Sequence, residues 1–330
     1  MFINGASAIS PLPVFDALTK GINFEFLTAA KGRVAEPDYS NLIDPKLIRR
    51  MSRIIRMGVV TALDALKQAA IANPDAILTG TAFGCLEDTG VFLKRLVENK
   101  EEMLTPTAFI QSTHNTVGAQ VALLLKCHSY NNTYVQRAHS FELSLLDAQL
   151  WLTEHAGQAV LVGAADELTD YSYSLLERFG TFKHQCGGEG AAYFLVQSAA
   201  SASSWAEIET IHTLYQPTEE ELLELVRSIS APAKEQPVDL ILSGEENHDE
   251  KAHLYMNVKA AAGDNIPVVN YKQFCGTYPT ASAFACWLGA YWLKTGTIPA
   301  GWGPVMPAKR ILIYQTDNLG YHSLILLKAC

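Results

Sequence analysis

The chain has 330 residues, 48% of them hydrophobic and 18% charged, a balance that supports a large buried core and excludes a disordered or fibrous protein. Its 25 Lys and Arg stand against 34 Asp and Glu, a formal net charge of −9. That excludes a general nucleic-acid binder, which needs a basic surface to displace counterions. The longest nearly unbroken apolar stretch, residues 281–293, falls short of the roughly 18–20 residues that span a bilayer. The opening MFINGASAIS has no basic region ahead of an apolar run, so a soluble, cytoplasmic product is expected. None of the six cysteines forms a C-x-x-C pair, so no zinc site or thioredoxin-type motif is expected and the thiols read as reduced.

In chain order, a short strand over residues 1–3 leads into Gly5 and small residues. A basic helix is expected over 46–72, since Leu47, Ile48, Met51, Ile54, Ile55, Val59, Leu63 and Leu66 recur at helical spacing before Asn73-Pro74 ends the run. The segment DAILTGTAFG reads as a buried strand, 88–99 as a helix, 105–107 as a proline-marked loop and TVGAQVALLLKC as a helix. A strand over NTYVQRA, a helix over SFELSLLDAQLWLTEH and buried strands over AVLVGAADE and GGEGAAYFLVQS follow. The Ala- and Ser-rich residues 199–204 mark a boundary, which divides the chain into 1–200 and 201–330. Beyond it come AEIETIHTL, an acidic helix with Thr218 and Glu221 at capping-box spacing, and the strand VDLILSG. A helix from Asp249, the strand IPVVNYK, a helix through PTASAFACWLGAYWLKTG and a C-terminal hairpin split by Asp317-Asn318-Leu319-Gly320 complete the chain. Alternating strands and helices, repeated in both parts, imply an α/β fold.

Five pieces, in order, resemble the β-ketoacyl-acyl-carrier-protein synthase family: INGASAISPLP, RRMSRIIRMGVVTALDAL, STHNTVGAQVA, GQAVLVGAADE and GGEGAAYFLVQ. The resemblance implies a thiolase-like fold of two similar βαβ-containing halves in an α/β/α/β/α stack. The family's chemistry needs a cysteine thiolate at a helix start, where the dipole and backbone amides favour the anion. Counting back from GAADE puts His139 in its place. Of the family's two assisting histidines, the first position falls at Ser243 and the second at Thr277, while the family's lysine is retained as Lys272. The Cys–His–His set therefore looks absent. The chain is most similar to the degenerate chain-length factors of bacterial aryl polyene, flexirubin and related clusters. That likeness implies a non-catalytic subunit paired with an active ketosynthase as a heterodimer, with no cofactor and no metal.

By the same resemblance, Thr107, Phe109, Thr113 and His114 are expected to border the acyl tunnel or subunit interface, and NTYVQRA to pair across the dimer axis. Lys46, Arg49, Arg50, Arg53 and Arg56 recur on one helical face. The first three fall where the family docks its acidic acyl carrier protein. Two other readings stay open: an active synthase or acyltransferase with a relocated nucleophile, Cys127 and Cys186 being nearest, and a homodimeric acyl-chain-binding protein. A decarboxylase is disfavoured because both histidine positions are changed. A hydrolase built on His139, Ser140 and Glu142 lacks the G-x-S-x-G elbow. A metal site from His248 and His253 with Glu245, Glu246 and Asp249 lacks the i, i+4 spacing of one helix face, so a solvated helix start is expected there.

Overall fold

Every residue of the strand Ala159–Asp166 is buried, and a strand with both faces apolar must be covered on both sides. The computed structural model, which describes all residues except 183–184, 231–236, 246–248, 264, 297, 300 and 303–306, shows how this is done. The elements run β1 (Phe2–Ile9), α1 (Ala17–Lys20), α2 (Pro45–Ile48), α3 (Arg53–Gln68), β2 (Ala76–Gly80), α4 (Leu86–Glu98), α5 (Pro106–Gln111), α6 (Thr116–Leu125) and β3 (Tyr130–Tyr134). Next come α7 (Ser140–Glu154), β4 (Ala159–Asp166), α8 (Asp170–Arg178), β5 (Gly190–Gln197), β6 (Ala206–Tyr215), α9 (Glu219–Ser230), β7 (Leu240–Ser243) and α10 (Asp249–Ala262). The chain closes with β8 (Val268–Asn270), α11 (Lys272–Cys275), α12 (Ala281–Thr295), β9 (Arg310–Thr316) and β10 (Tyr321–Lys328).

Among the described residues the strands form one sheet in the order β3-β2-β4-β5-β1-β6-β10-β9-β7-β8. On one side β2 lies parallel to β3 and β4, and β5 runs antiparallel to β4 and β1. On the other, β7 lies parallel to β8 and β9, and β10 runs antiparallel to β9 and β6. The same five-strand arrangement thus occurs twice, joined at the centre by the pairs Phe2↔Glu207 and Ile3↔Ala206.

Side-chain alternation sorts the strands into layers. Leu161 and Ala165 of β4 pack outward with Ile54, Val59 and Ala62 of α3. Val160, Val162 and Ala164 face inward, into a core shared with α7 and α12. Across the molecule, Ile311, Ile313, Ile325 and Leu327 face that same central core, while Leu312, Tyr314, Leu324 and Leu326 face α9 and α10. The result is α/β/α/β/α, as the family resemblance implies. Burying each large aliphatic side chain stabilises it by ~1.5–3 kcal/mol. At Gly5 a Cβ would stand 2.2 Å from the Ala65 carbonyl oxygen, so glycine is what lets α3 lie so close to β1.

Several expectations change. The helix expected over 46–72 is broken, because α2 stops at Ile48 and Ser52 is extended (φ −65, ψ 169) before α3 begins. The break buries Met51 and turns Arg53 toward Glu189, with which it pairs. Arg56 pairs with Glu36 at 3.3 Å, so the two arginines leave the exposed basic face. Residues 105–107 are not a loop throughout, since Pro106 opens α5, where its missing N–H costs nothing. The strand expected over NTYVQRA is β3, shifted toward the N-terminus, and Arg137–His139 form a 3-10 turn. The capping box is present: Glu221 accepts from the Thr218 N–H at 2.8 Å, and Thr218 accepts from the Glu221 N–H at 3.3 Å. Among the described residues no helix is long and apolar enough to cross a membrane.

Candidate functional site

The carboxyl ends of β2, β4 and β9 converge where the two five-strand arrangements meet, the kind of place where α/β sheets bind ligands. A cavity of about 460 Å³ lies there. Its apolar wall includes Phe83 and Leu86 after β2, Leu168 after β4, Leu175, Leu176 and Phe179 of α8 and its end, and Phe182. Polar groups enter from Arg137, Asp166, Glu167, Lys272, Thr277, Gln315 and Asp317.

Asp166 ties the site together. Its carboxylate accepts from the Thr81 hydroxyl at 2.9 Å, the Ala82 N–H at 2.9 Å, the Phe83 N–H at 3.2 Å and the Thr280 hydroxyl at 2.8 Å. These bonds join β4, the turn after β2 and the start of α12. Burial raises the Asp166 pKa against the pull of those donors. Glu167 beside it accepts from the Glu87 N–H at 2.9 Å, and its other oxygen is buried without a hydrogen-bond partner among the described residues. Desolvation pushes its carboxyl up to about 7. Behind the wall, Gly188 and Gly276 approach so closely that a Cβ on Gly188 would lie 2.1 Å from the Cys275 carbonyl oxygen.

His139 stands at the N-cap of α7, a helix-start position of the kind a thiolate needs. Its ring, however, is turned away: Nε2 lies 3.0 Å from the His322 carbonyl oxygen, and the ring meets Tyr321 edge-on at 4.8 Å. Burial lowers its pKa. The residues that reach the cavity are the preceding two, Arg137 and Ala138. Lys272 and Thr277 line the cavity as well, and the Thr277 hydroxyl is 3.0 Å from Gln185 Oε1. Ser243 does not line it. Its hydroxyl is buried at the end of β7 and accepts from the Glu245 N–H at 3.2 Å.

Among the described residues no cysteine and no histidine lines the cavity. Burial raises the thiols of Cys85, Cys186, Cys275 and Cys286, the reverse of nucleophile activation. Cys127 and Cys186 each lie near a backbone carbonyl, at 3.5 Å from Pro74 and 3.2 Å from Gly187. The His139–Ser140–Glu142 grouping does not assemble either, since the Ser140 hydroxyl donates to the Arg137 carbonyl and Glu142 accepts from Ser323. His248 and Glu246 of the weighed metal site lie outside the described residues, and no metal-holding cluster occurs among those described.

The residues expected to border the acyl tunnel or the subunit interface lie outside this cavity. Thr107, Phe109 and His114 are exposed and Thr113 half-buried, and none of the four borders the cavity. Phe109 instead packs on Phe92, with ring centroids 5.5 Å apart, because α5 lies on α4 at the outer surface. Lys46, Arg49 and Arg50 are exposed and make no ion pair among the described residues. Sequence reasoning missed Arg137, Glu167 and α8 as parts of the wall. The amphipathic spacing of Tyr173, Leu176 and Phe179 was the available signal for α8.

Residues 28–233 match the family described as "Beta-ketoacyl synthase, N-terminal domain", and the chain belongs to the β-ketoacyl synthase family. No curated protein sequence matches the chain. Among solved structures it is similar to a type II PKS acyl-carrier protein in complex with its ketosynthase bound to the hexaketide, at 18% identity and a TM-score of 0.79, over 100% of this chain and 99% of that one. It is also similar to a beta-ketoacyl synthase from Burkholderia phymatum STM815, at 16% identity and a TM-score of 0.78, over 100% and 99% of the two chains. The ishigamide ketosynthase/chain length factor matches at 17% identity and a TM-score of 0.79, over 100% and 98%. At these identities the likeness establishes the thiolase-like fold.

Proposed function

We propose that the chain is a non-catalytic, ketosynthase-like chain-length factor that pairs with a catalytic β-ketoacyl-acyl-carrier-protein synthase in aryl polyene or related acyl-chain assembly. The observation that carries this reading is a cavity lined by Lys272 and Thr277, two positions that the resemblance assigns to the family's chemistry, whose described wall holds neither thiol nor imidazole. Without a thiolate no acyl thioester forms on the chain, and without imidazoles nothing assists decarboxylation. Residues 1–200 and 201–330 serve as the two similar halves of the scaffold. The partner supplies the chemistry, and this chain supplies a folding surface and a wall of the tunnel.

One surface feature supports the pairing and another supports carrier-protein docking. The edge strand β3 has apolar neighbours that face outward, with Leu123 70% and Leu150 65% exposed. An uncovered edge with such a border is an aggregation hazard unless another chain covers it. Thr107, Phe109, Thr113 and His114, which do not line this chain's own cavity, serve in this reading at the subunit interface. Lys46, Arg49 and Arg50 form a local positive patch on a chain of net charge −9, suited to steering an acidic carrier protein. Co-expression with a candidate β-ketoacyl-acyl-carrier-protein synthase from the same genome, followed by native mass spectrometry, tests the pairing. A one-to-one heterodimer is expected, and a stable homodimer that ignores the ketosynthase overturns the reading.

A further inference from the structure

The helices around the cavity are anchored unequally. Buried Asp166 ties β4 to the start of α12, whereas no residue of α8 is buried. Ser172, Leu175 and Leu176, one face of α8 by their spacing, border the cavity, so this helix lies over empty space where α7 and α12 lie on packed side chains. It is nine residues long, and isolated helices shorter than about 12–15 residues are marginal in water, so its contacts decide whether it stays in place. Among the described residues, the only hydrogen bonds or ion pairs from α8 side chains to another element are those of Asp170, which binds Lys31 and, at 2.7 Å, Arg33. Lys31 also stands over the Tyr173 ring, 5.6 Å from its centroid. The receiving segment is fixed, because Gly32 donates its N–H to the Gly187 carbonyl at 2.7 Å and Gly187 donates to the Ala30 carbonyl at 2.9 Å. The two cations hold the Asp170 carboxyl below its ordinary pKa, so the contact stays charged through neutral pH. Ahead of α8, buried Leu168 is held by its N–H, which donates to Glu189 at 2.9 Å. Behind it, Gly180 has φ +81 and a Cβ there would meet nothing within 4 Å, so that turn is uncrowded.

We propose that α8 is a gate over the cavity, swinging out as a unit between Thr169 and Gly180, and that the pairing of Asp170 with Lys31 and Arg33 is its latch. The proposal goes beyond the chain-length-factor reading and holds whatever the cavity takes up. Leu175 and Leu176 are only half-buried when the gate is closed, so opening forfeits little apolar burial. The bonds it breaks belong to a carboxylate whose side chain is 83% exposed, and pairs of that kind are weak and screened by salt. The gate therefore opens more as ionic strength rises, while α12, buried along its length, stays closed.

Hydrogen exchange of the full chain, read by mass spectrometry, tests this. Amides of α8 are expected to exchange about 100-fold or more faster than those of α12, through local opening rather than global unfolding. Asp170→Asn, which removes the latch charge, is expected to speed exchange in α8 by about two- to five-fold and to leave α12 unchanged. Raising NaCl from about 0.01 M to about 1 M is expected to speed α8 in the parent and to add nothing in Asp170→Asn. Labelling of Phe83→Cys, in the wall beneath the gate, by N-ethylmaleimide is expected to accelerate by the same factor when Asp170→Asn is added. Exchange in α8 as slow as in α12, an Asp170→Asn effect spread equally over α12, a salt response that survives Asp170→Asn, or labelling at position 83 indifferent to the latch overturns the proposal.

Discussion

The two central helices hold equivalent places in the two five-strand arrangements and have opposite surroundings. All twelve residues of α12 from Ala281 to Trp292 are buried. In α7, Leu145, Ala148 and Leu152 are buried, but Leu150 is 65% exposed and Trp151 is only half-buried, stacked between Tyr130 and His155 at 4.9 and 4.2 Å. The chain is thus complete around α12 and open around α7, next to the free edge β3. Their starts differ as well. Thr280, before α12, reaches across to Asp166, and His139, before α7, reaches across to the His322 carbonyl. Each arrangement anchors the other's central helix beside the cavity, so the contacts there lock the halves together. An internal helix marks what one chain stabilises by itself, and a half-covered helix marks what awaits a second.

The sharpest break of this contrast is packing. Trp287→Ala in α12 removes a fully buried indole and is expected to cost ~3–5 kcal/mol in urea unfolding of the isolated chain. Leu150→Ala in α7 is expected to stay within ~0.5 kcal/mol in the same assay, while weakening the heterodimer measured by native mass spectrometry. Equal costs in the isolated chain would remove the distinction between a sealed and an open helix.

The anchors give a smaller difference. Asp166→Ala leaves the Ala82 N–H and the Thr81 and Thr280 hydroxyls without their acceptor, with an expected loss of ~2–4 kcal/mol. His139→Phe removes one hydrogen bond from ring to backbone, with an expected loss of ~1 kcal/mol. Thermal melts of the two variants rank them, and the reverse order would contradict the assignment of Asp166 as the tie between the halves.

The smallest effect is in pH. Glu142 is fully buried in the first turn of α7, and desolvation raises its carboxyl to about 7. Between the unfolded value, near 4.5, and about 7 the folded state holds the extra proton, so this group's contribution to stability falls as pH rises. His322, pushed down to about 4, acts in the opposite sense: below its unfolded value, near 6.5, stability falls as pH drops. Glu142→Gln is expected to reduce the loss of stability between pH 5 and 7, the remainder coming from Glu167, whose carboxyl is also pushed up to about 7, and to leave the acid-side loss in place. An unchanged profile in denaturant titrations would show that Glu142 does not titrate in this window.

Much of the fold is legible in the sequence because fully buried strands such as AVLVGAADE are continuous apolar runs, and the Thr218–Glu221 cap is a local pattern. The α2–α3 break is not legible, because Leu47, Ile48, Met51 and Ile54 keep helical spacing across residues whose path is set by burying Met51 and pairing Arg53 with Glu189, far away in sequence. The site is half legible. Lys272 and Thr277 reach the cavity because a local motif carries them, whereas Arg137, Asp166 and Gln315 meet only once the halves close. His139 shows the limit of counting. The count reached the helix start, but only the turn at Arg137 decides which side chain faces the cavity.

The central claim, that this ketosynthase scaffold carries no working nucleophile, is tested most directly by intact-mass measurement after incubation with an acyl-loaded carrier protein and the co-purified ketosynthase. The prediction is an acyl adduct on the ketosynthase and none on this chain. One acyl group per copy of this chain, mapping to a single cysteine, would contradict it.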